Sequence, residues 1–295
     1  MSAAQVTGTV PKTARVGKPP VARRRRGGAL KKSICAGIAY IIALLFIFPY
    51  AVMVLAAARP LNEQRDASYF PTHWDWSNFT TLWSFGLGQN IVTSLEIASG
   101  STVLVLLVSL PAAYYTARRK FRGRTFFLLL VLVTQMFQPT AMLVGIYREY
   151  TFVSINPVLA LIIINAGFNL AFATWILNAY FSSIPAELEE AAMVDGAGRF
   201  GAMMRITLPL ALPGIVTALI FTFIAAWNEF VVALIITNGG SSQPIGVKLD
   251  SFIGGYQIDW GHLFAASVVA IVPVIILFGL IERKVVGGLT AGSIK

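Results

Sequence analysis

The stretch that separates two long apolar segments in the second half of the chain reads SIPAELEEAAMVDGAGRFGAMMRITLP, from Ser183 to Pro209. Ser183 can cap a helix, Pro185 suits its first turn, and three glutamates follow where the helix dipole is positive. Gly196 can adopt a left-handed conformation, which would end this helix after Asp195. The pattern predicts a short amphipathic helix, a tight turn and a second short helix that ends at Pro209.

The chain around this stretch is far more apolar than a soluble protein. Of 295 residues, 56% are hydrophobic and 12% are charged, whereas about a quarter of residues are charged in soluble domains. We place apolar segments near or above the length of about 20 residues that crosses a bilayer at 33–58, 89–116, 125–147, 157–181, 213–237 and 262–282. The sequence therefore predicts an all-α polytopic membrane protein, with six transmembrane helices in a domain spanning 33–282.

Lysine and arginine fall on alternate loops, and this asymmetry predicts the orientation. With the N-terminus inside, the cytoplasmic side receives nine before residue 33, five in 118–124, two in 199–205 and three at the C-terminus, or nineteen, against four outside. Both termini and the loop 183–209 are thus predicted to be cytoplasmic. The apolar run that follows the tail is too long for a secretory signal, so we expect an uncleaved first span.

The two ends of the chain are predicted to be tails. Residues 1–32 are basic, without apolar periodicity, and are expected to be disordered and to touch anionic lipid. Nucleic-acid binding is the weaker alternative, because no aromatic residues are interleaved with the basic ones. Residues 283–295 are expected to form a second cytoplasmic tail.

The loop 183–209 carries a family resemblance. Glu190-Ala191-Ala192, Gly196, Ile206 and Leu208-Pro209 resemble, in identity and spacing, the EAA loop of ABC importer permeases, which docks on the ATPase subunit. The alternative is an amphipathic connector on the lipid headgroups, where clustered acids are unfavourable. The resemblance implies coupling to the ATPase through Glu187, Glu190, Ala191, Ala192, Asp195, Gly196, Ile206, Leu208 and Pro209.

Two other segments resemble carbohydrate permeases of the maltose-transporter type, which depend on a binding protein. In that family a Gly-Leu-Thr-Ala-Gly tail reaches into the ATPase dimer, which here implies docking by Gly288, Leu289, Thr290, Ala291 and Gly292; a frayed end is the alternative. The loop before the last span meets the binding protein in that family, which points to Ser241, Ser242 and Gln243. A flexible surface loop is the other interpretation.

Seven polar, proline or tryptophan residues inside the predicted spans are candidates for the translocation path. They are Gln138, Pro139, Asn165, Asn169, Trp227, Asn228 and Glu229. Pro139 predicts a kink, and asparagines in a span commonly form hydrogen bonds between helices. Trp227-Asn228-Glu229 resembles a segment of the carbohydrate permeases. Because a carboxylate inside a span is costly, Glu229 is expected either to anchor the structure or to contact substrate.

The sequence lacks the signatures of several enzyme classes. It has no G-x-x-x-x-G-K-[ST] loop, a single cysteine, no histidine pair at metal-ligand spacing and no cluster of nucleophile, base and acid. We therefore expect no enzyme and no metal site. A stand-alone secondary carrier or channel remains an alternative, with Glu96 and Glu229 as its intramembrane acids, although no inverted repeat is visible. An integral membrane enzyme would need the missing catalytic cluster.

The resemblance implies the type I fold and a permease subunit of an ABC importer in the bacterial cytoplasmic membrane, moving a sugar. The partners it implies are an ABC ATPase dimer, a second permease subunit in a heterodimer, an extracytoplasmic solute-binding protein and membrane lipid. It implies no cofactor in this chain, and ATP with Mg²⁺ in the partner ATPase.

Overall fold

A computed structural model describes residues 27–60, 63, 72–240, 242–254 and 257–291. In these ranges the chain is predominantly helical. In chain order its α-helices are α1 Gly27–Ala57, α2 Ser77–Thr81, α3 Leu87–Arg118, α4 Arg124–Thr134, α5 Leu143–Val153, α6 Pro157–Ser183, α7 Glu187–Val194, α8 Arg199–Ala202, α9 Leu208–Leu210, α10 Leu212–Trp227, α11 Val231–Ile236, α12 Ile245–Asp250 and α13 Trp260–Ala291. A 3₁₀ turn covers Pro139–Met142 and a π-helical turn covers Met203–Thr207.

Four helices in the described ranges are long and apolar enough to cross a membrane. They are α1 from Ser33, α3, α6 and α13 as far as Ile281. Two bent pairs raise the number to six if each pair counts as one span: Arg124–Thr134 with Pro139–Val153, and Arg199–Leu210 with Leu212–Trp227. The predicted all-α polytopic architecture is confirmed.

Two predicted spans are interrupted. The kink expected at Pro139 is a break, because α4 ends at Thr134 and the pair bends by 82°. Arg148 and Glu149, expected in the connection after span three, lie inside α5. A continuous helix over 213–237 is also wrong, because α10 ends at Trp227 and α11 is a separate helix of 6 residues.

The ends of the chain are helical further than predicted. α1 begins at Gly27, inside the predicted N-terminal tail, and residues 1–26 lie outside the described residues. α13 continues to Ala291, so the segment predicted as a C-terminal tail is helical as far as that residue. Of the predicted tail-docking residues, Gly288 to Ala291 thus lie in α13, and Gly292 is outside the described residues.

The chain divides into two compact units, Met1–Pro49 and Tyr50–Lys295. In the first, the apolar side chains of α1 are exposed, among them Leu45 and Phe46. In the second, α3 packs along α6 and both contact α10. The buried residues where these three helices meet are small or aliphatic apart from one phenylalanine: Val105, Ala113, Ala166, Ala173, Leu177, Phe181, Ala211 and Ala218.

Close helix packing depends on small and polar residues. A Cβ atom at Gly214 of α10 would overlap the Tyr180 ring of α6, so glycine permits this approach. Between α6 and α3, the Asn178 amide donates to the Thr116 hydroxyl at 2.8 Å. Asparagines in a span are expected to form hydrogen bonds between helices, and Asn178 does so. Such a bond contributes about 1 kcal/mol.

Hydrogen bonds also join the segments at the N-terminal end of α3. The Asn78 amide donates to the Ala57 carbonyl at 2.8 Å. The His262 ring nitrogens lie 2.7 Å from the Thr81 hydroxyl and 2.6 Å from the Asp259 carboxylate. These contacts hold α2 against the end of α1 and the start of α13.

Candidate functional site

The loop between α6 and α10 has the predicted helix–turn–helix form. α7 carries Glu187, Glu189 and Glu190 in its first turn. Gly196 has a φ of 90°, which is the left-handed conformation expected there. The amides of Gly196 and Ala197 donate to the last turn of α7 at 3.1 and 3.0 Å, which closes its C-terminus. α8 then begins after this turn.

Two details of the loop differ from the prediction. Ser183 does not cap α7, because α6 extends to this residue and its hydroxyl donates to the Tyr180 carbonyl at 2.8 Å. Pro209 does not end the second helix, because it lies in α9 directly after the π-helical turn. The change of direction of 71° instead falls at Ala211, which α9 and α10 flank.

One glutamate fastens the loop to the transmembrane helices. Glu189 Oε1 accepts from Arg118 Nε at 2.7 Å and from the Thr207 hydroxyl, and Oε2 accepts from the Tyr114 hydroxyl at 2.8 Å. Arg118 Nη1 also donates to the Ile184 carbonyl at 2.8 Å. We call these five residues the Glu189 anchor. It joins α7 to the end of α3, the end of α6 and the π-helical turn.

The anchor keeps the buried carboxyl group of Glu189 ionised. The side chain is 7% exposed, and burial alone raises the pKa of a carboxyl group. Hydrogen bonds from Thr207, Tyr114 and Arg118, together with the Arg118 charge, outweigh burial and hold the pKa of Glu189 below its ordinary value of 4.5. A buried ion pair of this kind is tolerated because both carboxylate oxygens accept hydrogen bonds, although the buried Arg118 Nη2 has no hydrogen-bond partner among the described residues.

The rest of the loop exposes apolar and acidic groups together with the basic side chains of Arg199 and Arg205. Glu187, Glu190, Ala191, Asp195 and Gly196 are exposed, as is Pro209, whereas Ala192, Ile206 and Leu208 are half-buried. Beside them lie large exposed apolar side chains, which we name together the loop surface: Leu188, Met193, Val194, Phe200 and Met204. Val194 is 87% exposed and Phe200 is 68% exposed. Several large apolar side chains exposed on one loop between membrane helices favour a protein-binding surface.

The sequence alone does not reveal the anchor. In the sequence, Arg118 is one of five basic residues in 118–124, and Glu189 is one of three acids at the start of α7. The two residues are 71 positions apart, and no local pattern distinguishes Glu189 from Glu187 or Glu190. The available signal is that Arg118 and Glu189 carry opposite charges and are both predicted to lie at the cytoplasmic ends of membrane spans.

The structure brings together three of the candidate path residues in a space too small for a sugar. Asn165, Trp227 and Glu229 line a cavity of about 10 Å³, which is the size of one water molecule. The Glu229 carboxylate accepts from the amides of Val232 and Ala233 at 2.8 and 3.0 Å, and so caps α11.

The other four candidates are dispersed, and two of the asparagines bond differently from the prediction. Asn165 and Asn169 donate to carbonyl groups one turn earlier in α6, at 3.0 and 2.8 Å, so the expected bonds between helices are wrong for these two. Gln138 and Pro139 lie at the break between α4 and α5. Asn228 is exposed in a second cavity of about 400 Å³ that Tyr50, Trp227 and Ser267 also line.

The expected binding-protein residues precede α12. Ser241 is outside the described residues, and Ser242 and Gln243 are half-buried. The Gln243 carbonyl accepts from the Asn90 amide at 2.7 Å, which ties this segment to α3.

Residues 103–287 match the family described as the binding-protein-dependent transport system inner membrane component. The chain belongs to this family. It is 34% identical over 258 residues to the probable ABC transporter permease protein YurM of Bacillus subtilis, covering 87% of this chain and 85% of the relative. It is 32% identical over 287 residues to the trehalose/maltose transport system permease protein MalG of Thermococcus litoralis, covering 92% and 99%.

Solved structures agree with this membership at the level of the fold. A chain of a bacterial ABC transporter involved in the import of the acidic polysaccharide alginate has a TM-score of 0.72 at 21% identity, covering 90% of this chain and 99% of that one. As a member of the inner membrane component family, the chain is a transmembrane permease subunit of an ABC importer. ATP hydrolysis belongs to a separate subunit, so this chain is not an enzyme, and the stand-alone carrier interpretation is set aside.

Proposed function

We propose that this permease imports a sugar or oligosaccharide and that the loop surface docks on the ATPase subunit. The observation that carries the proposal is the loop surface itself. Its apolar side chains, including Val194 and Phe200, are exposed, as are the α7 acids Glu187 and Glu190, on a segment that the Glu189 anchor joins to α3. Exposed apolar side chains on the same segment as the α7 acids suit a partner surface that is apolar and carries basic groups opposite α7.

Sugar as the solute class is supported by the relatives. Besides the trehalose/maltose permease, the chain is 32% identical to the diacetylchitobiose uptake system permease protein DasC of Streptomyces coelicolor and 36% identical to the sulfoquinovosyl glycerol permease SmoH of Agrobacterium fabrum. The cavity that Tyr50, Trp227, Asn228 and Ser267 line offers aromatic, amide and hydroxyl groups within an otherwise aliphatic lining, and groups of these kinds suit a sugar. An exposed amide at membrane depth is costly in lipid, so Asn228 is expected to face protein or water.

The complete transporter in this proposal holds several further components. An ATPase dimer binds ATP and Mg²⁺, while this chain holds no cofactor. A second, different permease subunit supplies the other half of the pathway, and an extracytoplasmic binding protein delivers the solute near Ser242 and Gln243. The permease lies in the cytoplasmic membrane with both termini inside, where residues 288–292 reach the ATPase.

Co-purification from the native host tests the proposal. The tagged chain, extracted gently from membranes, should bring a nucleotide-binding subunit and a second six-span protein, identified by mass spectrometry. Membrane vesicles loaded with ATP and supplied on the outside with the binding protein should import at least one labelled sugar from a panel that includes trehalose and diacetylchitobiose. Isolation of the chain alone, with uptake that survives ATP depletion, would overturn the proposal.

Matched variants test the docking surface. Phe200→Ala should reduce the recovery of the ATPase subunit, because it removes a large apolar side chain from the loop surface. Trp74→Ala is the control, since Trp74 is comparably exposed, at 57%, but lies before α2 at the other end of α3. Equal recovery of the ATPase with both variants would place docking elsewhere.

A further inference from the structure

The Glu189 anchor lies at the junction of the loop and the membrane helices. Its members come from three separate parts of the chain: Tyr114 and Arg118 at the end of α3, Ile184 and Glu189 around the start of the loop, and Thr207 at its end. A single carboxylate therefore holds both ends of the loop against α3.

The acids of α7 differ in their surroundings. Glu187 and Glu190 are exposed, whereas Glu189 is buried and accepts three side-chain hydrogen bonds. A buried carboxylate is unfavourable unless its oxygens are satisfied, and removing one member of such a pair leaves the other charge uncompensated. Glu187 and Glu190 are therefore available to a partner protein, whereas Glu189 forms a connection inside this chain.

The segment after the anchor has an irregular backbone. Thr207 closes the π-helical turn Met203–Thr207, and the chain then bends by 71° between α9 and α10. π-helical turns are rare and are often found at functional sites. The Thr207 side chain is fully buried and its hydroxyl donates to Glu189, so the irregular turn is linked directly to α7. Through this bond, the entry to α10 is tied to the same carboxylate as α3.

We propose that Glu189 is a positioning residue that makes α7, the end of α3 and the entry to α10 move as one body. This inference rests on the proposed docking of the loop surface on the ATPase. A displacement of the loop surface would then reach α3 and α10 together, and these helices form the packed core with α6. Without the anchor, α7 could still dock, but its displacement would be absorbed by the loop.

The experiment compares solute imported per ATP hydrolysed in the complete transporter, reconstituted in liposomes with its binding protein. The solute is the labelled sugar that the wild-type transporter imports in the uptake assay above. Glu189→Ala should assemble and hydrolyse ATP while the ratio falls about tenfold, which is within the usual range of coupling between sites. Tyr114→Phe removes one of the three hydrogen bonds and should lower the ratio by less than Glu189→Ala does.

Two further variants serve as the control and as a substitute for Glu189→Ala. Glu149→Gln, at an exposed acid of α5, should leave the ratio unchanged. If Glu189→Ala fails to assemble, Glu189→Gln decides, because it preserves the side-chain shape and removes the charge: a lowered ratio supports the inference and an unchanged ratio overturns it. An unchanged ratio in assembled Glu189→Ala also overturns it. Failure of the proposed function is distinguishable, because the wild-type chain would then lack an ATPase partner and ATP-dependent uptake.

Discussion

At Gly196 the backbone alone determines which residue is tolerated. Its φ of 90° is strained for any residue with a Cβ atom, at about 1–2 kcal/mol, although no atom lies within 4 Å of the position where a Cβ would be added. Gly198, two positions further on, has equally open surroundings and a φ of −68°. The two glycines therefore separate backbone strain from steric exclusion.

Gly196→Leu is expected to leave the permease in the membrane while uncoupling ATP hydrolysis from uptake, because the turn between α7 and α8 must change conformation. Gly198→Leu adds the same side chain at a permitted φ and should retain most of the coupling. The measurement is solute uptake against ATP hydrolysis for both variants. Normal coupling in Gly196→Leu would show that the geometry of this turn does not matter for transport.

The lowered pKa of Glu189 predicts how the anchor responds to acid. Because the folded-state pKa lies below the ordinary value of 4.5, the anchor contributes its full stabilisation above that value and loses it as the pH falls through the folded-state pKa. The Tm of the wild-type permease in detergent should exceed that of Glu189→Gln at pH 7. The difference should shrink below about pH 4.5; a difference that grows on acidification would contradict the assigned ionisation.

At the scale of elements, the break between α10 and α11 is built around a capping carboxylate. Glu229 accepts from the amides of Val232 and Ala233, which are both buried. A carboxylate in a predicted span can therefore serve backbone donors that the interrupted helix leaves free. This geometry favours the anchoring role of Glu229 over direct contact with the solute.

Glu229→Ala should lower the free energy of unfolding by about 2 kcal/mol, since two buried amides lose their acceptor. Glu229→Gln retains an acceptor oxygen and should lose less. Glu96→Ala, at an exposed acid of α3, is the control with little expected change. Chemical unfolding in detergent measures all three; a Glu229→Gln variant with wild-type stability but a raised KM for uptake would instead indicate contact with the solute.

For the whole molecule, the distribution of positive charge predicts the orientation in the membrane. Nineteen lysine and arginine residues lie on the predicted cytoplasmic side and four on the other. A fluorescent protein that matures only in the cytoplasm should therefore fluoresce when it is fused after residue 295. A fusion after residue 240, in the predicted outer loop, should stay dark. The reverse pattern would place the loop surface outside, where no ATPase could reach it.

The sequence by itself determined the features that depend on neighbouring residues. The apolar segments indicate the membrane helices, because about 20 apolar residues suffice to span a bilayer whatever surrounds them. The helix–turn–helix of the loop follows from the acids of α7 and from Gly196, whose conformation is a local property. The spacing from Glu190 to Pro209 was sufficient to indicate the permease family.

Only the tertiary structure decided which of these residues act together. The partners of Glu189 come from α3 and the π-helical turn, and the close approach at Gly214 depends on Tyr180 of another helix. The interruption of span five after Trp227 was also hidden, because the break at Asn228 and Glu229 contains no proline or glycine to mark it. Hydropathy measures the transfer of each residue into lipid. The anchor and the close approach at Gly214 instead arise from hydrogen bonds and contacts between residues distant in the chain. The break after Trp227 depends on a helix cap that only the folded backbone reveals.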